Sequence, residues 1–244
     1  MNERLAASAD AQRAAVIMAG GRGKRLGPLT DTIPKPMLAV GGRPILERIV
    51  LHVVGHGIRR IHLSVNYRAE MIEQHFGDGS DFGCSISYVR EDPDHPLGAA
   101  GSLSLLGAQG FAPTKPLLVM NGDIMTELSI DALFRHHASS RADITVAVKD
   151  YSYQVPSGVV VTDAEGDIIR IDEKPTVSWP VAVGVYVLEP KVLSDLPAQT
   201  PMDFPDLAKR ALARGARATS WEIDSDWIDI GQPDDLRRAR GEAS

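Results

Sequence analysis

Apolar runs rich in β-branched residues alternate with helical patterns along the chain. Residues 14–19, Ala-Ala-Val-Ile-Met-Ala, are uninterruptedly apolar and predict a strand buried on both faces. Ile45–His56 repeats its apolar positions at helical spacing and runs into Gly57, a stop signal. Arg60–Val65 predicts a strand, Ala69–Phe76 a helix ending at Gly77, and Ser85–Arg90 an alternating, half-covered strand. Gly101–Leu106 reads as a short helix and Leu117–Met120 as a buried strand. Ser129 is placed to cap a helix through Ala138, and Ile144–Lys149 follows as a strand. This βαβα order predicts a Rossmann-like α/β fold, a mostly parallel sheet flanked by helices.

Past residue 150 the pattern changes. Gly158–Thr162, Asp167–Ile171 and Val181–Leu188 read as strands with no long helix between them, which predicts a small, partly antiparallel lobe. Pro205–Arg214 then reads as a helix, Ala218–Ile223 as a strand and Pro233–Arg240 as a closing helix with proline in its first turn. Residues 1–13 form a polar tail, and 14–241 a single domain.

The chain has 244 residues, 43% of them hydrophobic, enough for a packed core. Its 32 acidic residues outnumber 26 Lys and Arg, a formal charge of −6. That balance argues against a general nucleic-acid surface, which carries a basic face, but leaves room for one nucleotide held by local cations. The single cysteine, Cys84, cannot form an internal disulfide, which fits a reducing cytoplasm. No run approaches the ~20 apolar residues of a membrane span, and Met1–Arg13 lacks the apolar core of a signal peptide.

The candidate chemistry starts where the first strand ends. Residues 20–25, Gly-Gly-Arg-Gly-Lys-Arg, combine backbone that can approach phosphate oxygens with fixed cations. Lys35 follows between Pro34 and Pro36. A Walker A loop would need glycine at Met18 and Ser or Thr at Arg25, and the dinucleotide pattern would need glycine at Leu26. Both templates fail, and Arg25 and Lys35 stand out as the cations. Asn121-Gly122-Asp123 ends another apolar strand, and Asp229 lies in the apolar frame Trp227-Ile228-Asp229-Ile230. Two carboxylates in such frames suit Mg²⁺, which takes one or two of them with phosphate oxygens and water. In an open α/β sheet, ligands bind beyond the carboxyl ends of strands, where these motifs fall. His52 and His56 have helical i, i+4 spacing but lack a third ligand, so they read as an ordinary helix pair.

The motif Met18-Ala19-Gly20-Gly21-Arg22-Gly23-Lys24-Arg25-Leu26-Gly27-Pro28-Leu29-Thr30, with Pro34-Lys35-Pro36-Met37 and Gly42-Arg43-Pro44-Ile45-Leu46, resembles the signature of the sugar-1-phosphate nucleotidyltransferases. The resemblance covers about residues 14–240 and implies a GT-A-type fold. It implies that Ala19, Gly20, Gly21, Gly23, Arg25, Gly98, Asn121 and Gly122 bind the nucleotide. Arg25, Lys35 and Asp123 would be catalytic, and Asp123 and Asp229 would hold Mg²⁺. Glu173-Lys174-Pro175 matches the family's sugar and sugar-phosphate motif, and Gly184 its following glycine, but Ala182 stands where the family has Asn. Gly158 belongs to the same expected sugar-phosphate site. The loop Leu97-Gly98-Ala99-Ala100-Gly101-Ser102-Leu103 resembles that of guanylyltransferases, and the stretch 151–160 resembles a segment of glucosamine-1-phosphate guanylyltransferases. The expected substrates are therefore an NTP, with GTP favoured, and a sugar 1-phosphate. Family members often form dimers or tetramers, so a homo-oligomer is admitted, although the sequence places no surface for it.

Two other readings stay open at this level. A glycosyltransferase can share the fold, but would usually mark its metal with Asp-x-Asp rather than Asn121-Gly122-Asp123. A non-catalytic nucleotide or sugar sensor could keep the scaffold without turnover.

Overall fold

A computed structural model describes residues 13–194 and 196–242. Strand β1 (Ala14–Met18) leads through two 3-10 helices, Lys24–Thr30 and Lys35–Met37, to the small hairpin of β2 (Ala39–Val40) and β3 (Arg43–Pro44) and then helix α1 (Ile45–Gly55). Next come β4 (Arg60–Val65), α2 (Ala69–Phe76), β5 (Ser85–Arg90), α3 (Gly98–Gly101), β6 (Leu117–Asn121), β7 (Ile124–Thr126), α4 (Ile130–Ser140) and β8 (Ile144–Gln154). The remainder is β9 (Val159–Thr162), β10 (Ile168–Asp172), β11 (Thr176–Leu188), α5 (Pro190–Ser194), α6 (Phe204–Ala213), β12 (Ala218–Glu222), β13 (Trp227–Asp229) and α7 (Pro233–Ala239).

Seven strands form the central sheet in the order β12-β8-β11-β6-β1-β4-β5. All run parallel except β11, which is antiparallel to both β8 and β6. The sheet is therefore mixed and mostly parallel, as the alternation of strands and helices predicts. Strand β1 shows why its sequence is apolar throughout. Ala15 and Ile17 pack into one core, shared with α1, α2 and α4, while Ala14 and Val16 pack into the other, shared with α3 and α6. Each fully buried Val, Leu or Ile in these layers contributes roughly 1.5–3 kcal/mol.

Several boundaries move. The helix expected at Gly101–Leu106 begins at Gly98 as α3 and passes into a 3-10 turn at Ser102–Leu105. The strand expected at Val181–Leu188 is only the inner half of β11, and it belongs to the central sheet rather than to the lobe. The lobe consists of the hairpin β9–β10 and the outer ends of β8 and β11. A short helix, α5, was not expected, nor were β7 and β13. The polar tail expected at 1–13 lies outside the described residues apart from Arg13. That guanidinium sits 4.4 Å from the Phe134 ring centroid and 3.5 Å from Asp131. Ser129 caps α4 by accepting the Ala132 N–H at 3.2 Å. Cys84 is partly buried against the larger core. Among the described residues no helix is long and apolar enough to cross a membrane.

A candidate active site at the carboxyl ends of parallel strands

Four adjacent parallel strands deliver polar groups to one end of the sheet. β1 ends at the Gly20–Arg25 loop, β4 at Asn66, β5 at Glu91 and β6 at Asn121-Gly122-Asp123. β1 lies between β4 and β6, and the chain departs to either side of it, so the loops open around a topological switch point.

The loop after β1 is held from within. Gly23 takes φ +64, and a β-carbon there would meet Lys35 Cβ at 2.9 Å, so only glycine lets this loop rest on the Lys35 segment. The buried Thr30 hydroxyl donates to the Gly23 carbonyl at 3.0 Å, and the Tyr67 hydroxyl donates to the carbonyl of Asp31 at 2.9 Å. Gly20, Gly21, Arg22, Gly23 and Lys24 line an open cavity of about 420 Å³ together with Asn66 and two prolines. Gly20 and Gly21 also face a neighbouring cavity of about 290 Å³, lined by Ser64, Asn66, Glu91, Gly98, Ala99, Asn121 and Asp123. A separate cavity of about 450 Å³ lies between α1 and β7; it is larger but contains none of the loop glycines. Backbone amides and cations converge at the glycine-loop cavities, not where the volume is greatest.

The carboxylates are brought together by β7 and β13. These three-residue strands pair antiparallel, with Asp229 opposite Ile124, the residue after Asp123. The Ile230 N–H donates to the Asp123 carbonyl at 3.1 Å and closes the junction. Lys35 Nζ lies 2.5 Å from Asp123 Oδ2 and 3.6 Å from Asp229 Oδ1, with its side chain only 8% exposed. Burial pushes the Asp229 carboxyl above its ordinary range and the charge of Asp123 adds to this, while Lys35 and Arg25 oppose it. The Arg25 guanidinium runs past Gly231, where a β-carbon would stand 3.5 Å from Nη1. Arg25, Lys35, Asp123 and Asp229 thus form one constellation.

Two carboxylate oxygens already converge on a single cation there. This donor set fits Mg²⁺, whose other positions would go to water and phosphate. Among the described residues, no three or more His, Cys, Asp or Glu gather to hold a metal.

Other expected residues take supporting places. Ala19 is fully buried and its N–H donates to the Ser64 carbonyl at 2.7 Å, so its part is to hold the loop. Gly122 is also buried; its N–H donates to Met18 O at 2.8 Å, and a β-carbon would meet that same oxygen at 2.6 Å. Gly184, at φ +77 in an irregular stretch of β11, is buried and leaves room for the Asn121 side chain. It shapes the site through Asn121 rather than presenting a surface of its own. Gly98, at φ +73, lets the 97–101 loop dock on Met202, whose carbonyl accepts the N–H groups of Ala100 and Gly101.

Glu173 and Lys174 are exposed in the turn between β10 and β11, with Lys174 at φ +46. Gly158 lies against them, since a β-carbon there would be 3.2 Å from Glu173 Oε2. No hydrogen bond or ion pair among the described residues joins this group to the Lys35 constellation. His52 and His56 dock α1, through the Leu128 carbonyl at 3.0 Å and Asp131 at 3.1 Å.

Sequence reasoning missed Ser64, Asn66 and Glu91. Each stands at or just past the end of its strand, beside the glycine loop. Their position at the carboxyl end of a predicted strand was the only signal available.

Comparisons with known proteins point to one family. The chain is 34% identical to a UTP--glucose-1-phosphate uridylyltransferase of Synechocystis, matching 93% of this chain and 62% of that protein. It is 33% identical to a mannose-1-phosphate guanylyltransferase of Mycobacterium tuberculosis, over 92% of this chain and again 62% of the relative. The chain thus spans less than two thirds of these relatives' length. Among solved structures, a Bacillus anthracis protein classed as a glucose-1-phosphate thymidylyltransferase and crystallised with sucrose superposes with a TM-score of 0.74. Identity there is 26%, over 94% of both chains. HddC from Yersinia pseudotuberculosis superposes at 0.70 with 26% identity, over 94% of this chain and 98% of that one. The Nucleotidyl transferase family pattern matches residues 14–243, and the chain belongs to that family.

Proposed function

We propose that the chain transfers a nucleotidyl group from a nucleoside triphosphate, with GTP favoured, to a sugar 1-phosphate, giving an NDP-sugar and pyrophosphate. The observation that carries this reading is the constellation of Arg25, Lys35, Asp123 and Asp229 at the mouth of a glycine loop. An oxygen of the sugar phosphate forms a bond to the α-phosphorus. The bond from that phosphorus to the bridging oxygen of the β-phosphate breaks, and its electron pair leaves with pyrophosphate. The attacking oxygen is already anionic, so the protein's task is alignment and charge neutralisation.

The Gly20–Gly23 backbone supplies N–H donors for the β- and γ-phosphates. Arg25 stabilises charge growing on the leaving pyrophosphate. Asp123 and Asp229 would hold Mg²⁺, which when bound lends positive charge to phosphate oxygens. Lys35, exchanging its carboxylate contacts for phosphate, and Lys174 orient the sugar phosphate.

The names of two similar enzymes divide between uridylyl and guanylyl transfer, and Glu91 supports guanine. Its carboxylate lines the cavity beside Gly20 and Gly98, accepting the Leu97 N–H at 2.8 Å and the Ser64 hydroxyl at 3.3 Å. An ionised carboxylate accepts at about four lone-pair sites, which leaves capacity for the adjacent N1–H and N2–H donors of guanine. Uracil and thymine offer one N–H between two carbonyl oxygens that a carboxylate repels.

The test is pyrophosphate release with Mg²⁺ for the four ribonucleoside triphosphates and dTTP against glucosamine, mannose, glucose and heptose 1-phosphates. One strong pair containing GTP is expected. Glu91→Gln should lower kcat/KM for GTP roughly 10- to 100-fold while leaving UTP nearly unchanged. Preference for another base would overturn the guanine assignment alone. Nucleotide binding without pyrophosphate release from any pair would overturn the reaction.

A further inference from the structure

A second polar cavity lies at the end of the sheet opposite the glycine loop, between α5 and α6. β8 and β12 begin there, after Asp143 and Arg217, and β11 ends there at Leu188. β8 runs parallel to β6, since both oppose β11. The cavity is thus at the amino ends of the parallel strands and the glycine loop at their carboxyl ends. Its volume is about 210 Å³, and its lining includes Lys191, Arg210, Arg214 and Asp143 beside Val192 and Leu207. Three cations therefore meet one carboxylate among the described lining residues. That carboxylate is engaged on both oxygens: Asp143 Oδ1 lies 2.7 Å from Lys191 Nζ, and Oδ2 accepts the Arg217 N–H at 2.9 Å. Arg210 makes no hydrogen bond or ion pair among the described residues, and its Nε is buried without a partner. Basic side chains in the last turn of a helix often satisfy its free carbonyls. Here backbone amides do so instead: those of Arg214 and Ala216 donate to the Ala211 carbonyl, and that of Gly215 to the Leu212 carbonyl. Neither an ion pair nor a cap explains Arg210. A buried donor left unpaired is costly, and folded proteins ordinarily resolve it with water or an ion.

We propose that this cavity binds a phosphate group, as inorganic phosphate or as a small phosphomonoester, with Arg210 as its central donor. A guanidinium presents its N–H groups as a planar fork that matches two oxygens of an oxyanion at once. A phosphate dianion balances the excess of cations over Asp143 among the described lining residues, whereas a carboxylate would offset only part of it. The volume falls below the ~300 Å³ at which pockets for larger organic ligands begin, which favours a small ligand over a nucleotide. Val192 and Leu207 offer an apolar wall to a short carbon chain on the ester. α6 holds Arg210 at the wall, because Leu207 and Ala211 anchor that helix in the smaller core. The inference concerns binding far from the reacting groups and stands apart from the reaction proposed above.

Isothermal titration calorimetry of the full chain with sodium phosphate, at fixed ionic strength and without Mg²⁺, tests it. The titration is run on Arg25→Ala, which removes a phosphate-directed cation from the active site. Phosphate binding at low millimolar concentration or tighter is expected to persist in that variant. Adding Arg210→Met should raise the phosphate Kd at least ~10-fold, the loss of a charge-assisted hydrogen bond. Arg214 is exposed, so adding Arg214→Gln instead repeats the test without disturbing the interior and should raise the Kd several-fold. Thermal melting in phosphate-free buffer verifies that each variant is folded. Glycerol 3-phosphate, titrated in parallel, distinguishes the two sources: tighter binding than inorganic phosphate assigns the site to an ester, weaker binding to the free ion. Absence of phosphate binding in Arg25→Ala overturns the proposal. So does binding that tolerates both Arg210→Met and Arg214→Gln, and acetate binding as tightly as phosphate overturns the ligand class.

Discussion

Lys35 sets the electrostatics of the site at the scale of single residues. Its ammonium is nearly sealed between two carboxylates that would otherwise repel each other. Arg25 is its counterpart: exposed, beside Gly231, and near enough to Asp229 to oppose the upward shift of that carboxyl. The difference in burial predicts different consequences of removal. Losing a charge donor that acts in the transition state lowers turnover about 100-fold or more. Arg25→Ala should therefore cut kcat by at least that factor with little change in melting temperature, read by pyrophosphate release and thermal unfolding. Near-normal turnover would remove Arg25 from the mechanism.

The site depends on elements too short to announce themselves. β7 and β13 have three residues each, yet their pairing fixes Asp123 against Asp229. The 3-10 helix at Lys35–Met37, entered through Pro34, aims Lys35 at both. At the junction of β1 and β6, Gly122 sits so close to Met18 that a methyl group would overlap the carbonyl oxygen at 2.6 Å. Backbone cannot yield as a flexible side chain can, so Gly122→Ala should destabilise the fold by ~1–3 kcal/mol or more. Gly21, with no heavy atom within 4 Å of its would-be β-carbon, should tolerate alanine within ~0.5 kcal/mol. Urea midpoints of the two variants compare them directly, and equal midpoints would show that β1 and β6 can separate at this point.

For the whole molecule, buried histidines tie stability to pH. Burial lowers the pKa of His52, His62 and His137, that of His62 to about 4. His62 pairs through Nδ1 with the Ser87 hydroxyl at 2.6 Å and packs on Phe111. A group whose folded pKa lies below its unfolded value of 6.5 binds fewer protons in the folded state. Its stabilisation is complete above about 6.5 and is lost as pH falls towards about 4. Urea midpoints should accordingly fall across that window, and His62→Phe should flatten the fall. A midpoint indifferent to pH between these limits would contradict the buried neutral histidines.

Local periodicity made most elements legible. The apolar run of β1, the helical spacing of α1 and α2 and the cap at Ser129 lie in adjacent residues, and local propensity and burial act at that range. The loop composition of Gly20–Arg25 and the Asn121-Gly122-Asp123 end of β6 marked the site for the same reason. Tertiary structure alone decided the rest. It reversed β11 within a parallel sheet, paired β7 with β13 so that Asp123 and Asp229 share Lys35, and brought Glu91 beside Gly20. It also carried the ends of β8 and β11 out of the body with an apolar face uncovered. These contacts join residues far apart in the chain, and their energies depend on how all the layers pack together, which no window of neighbouring residues encodes.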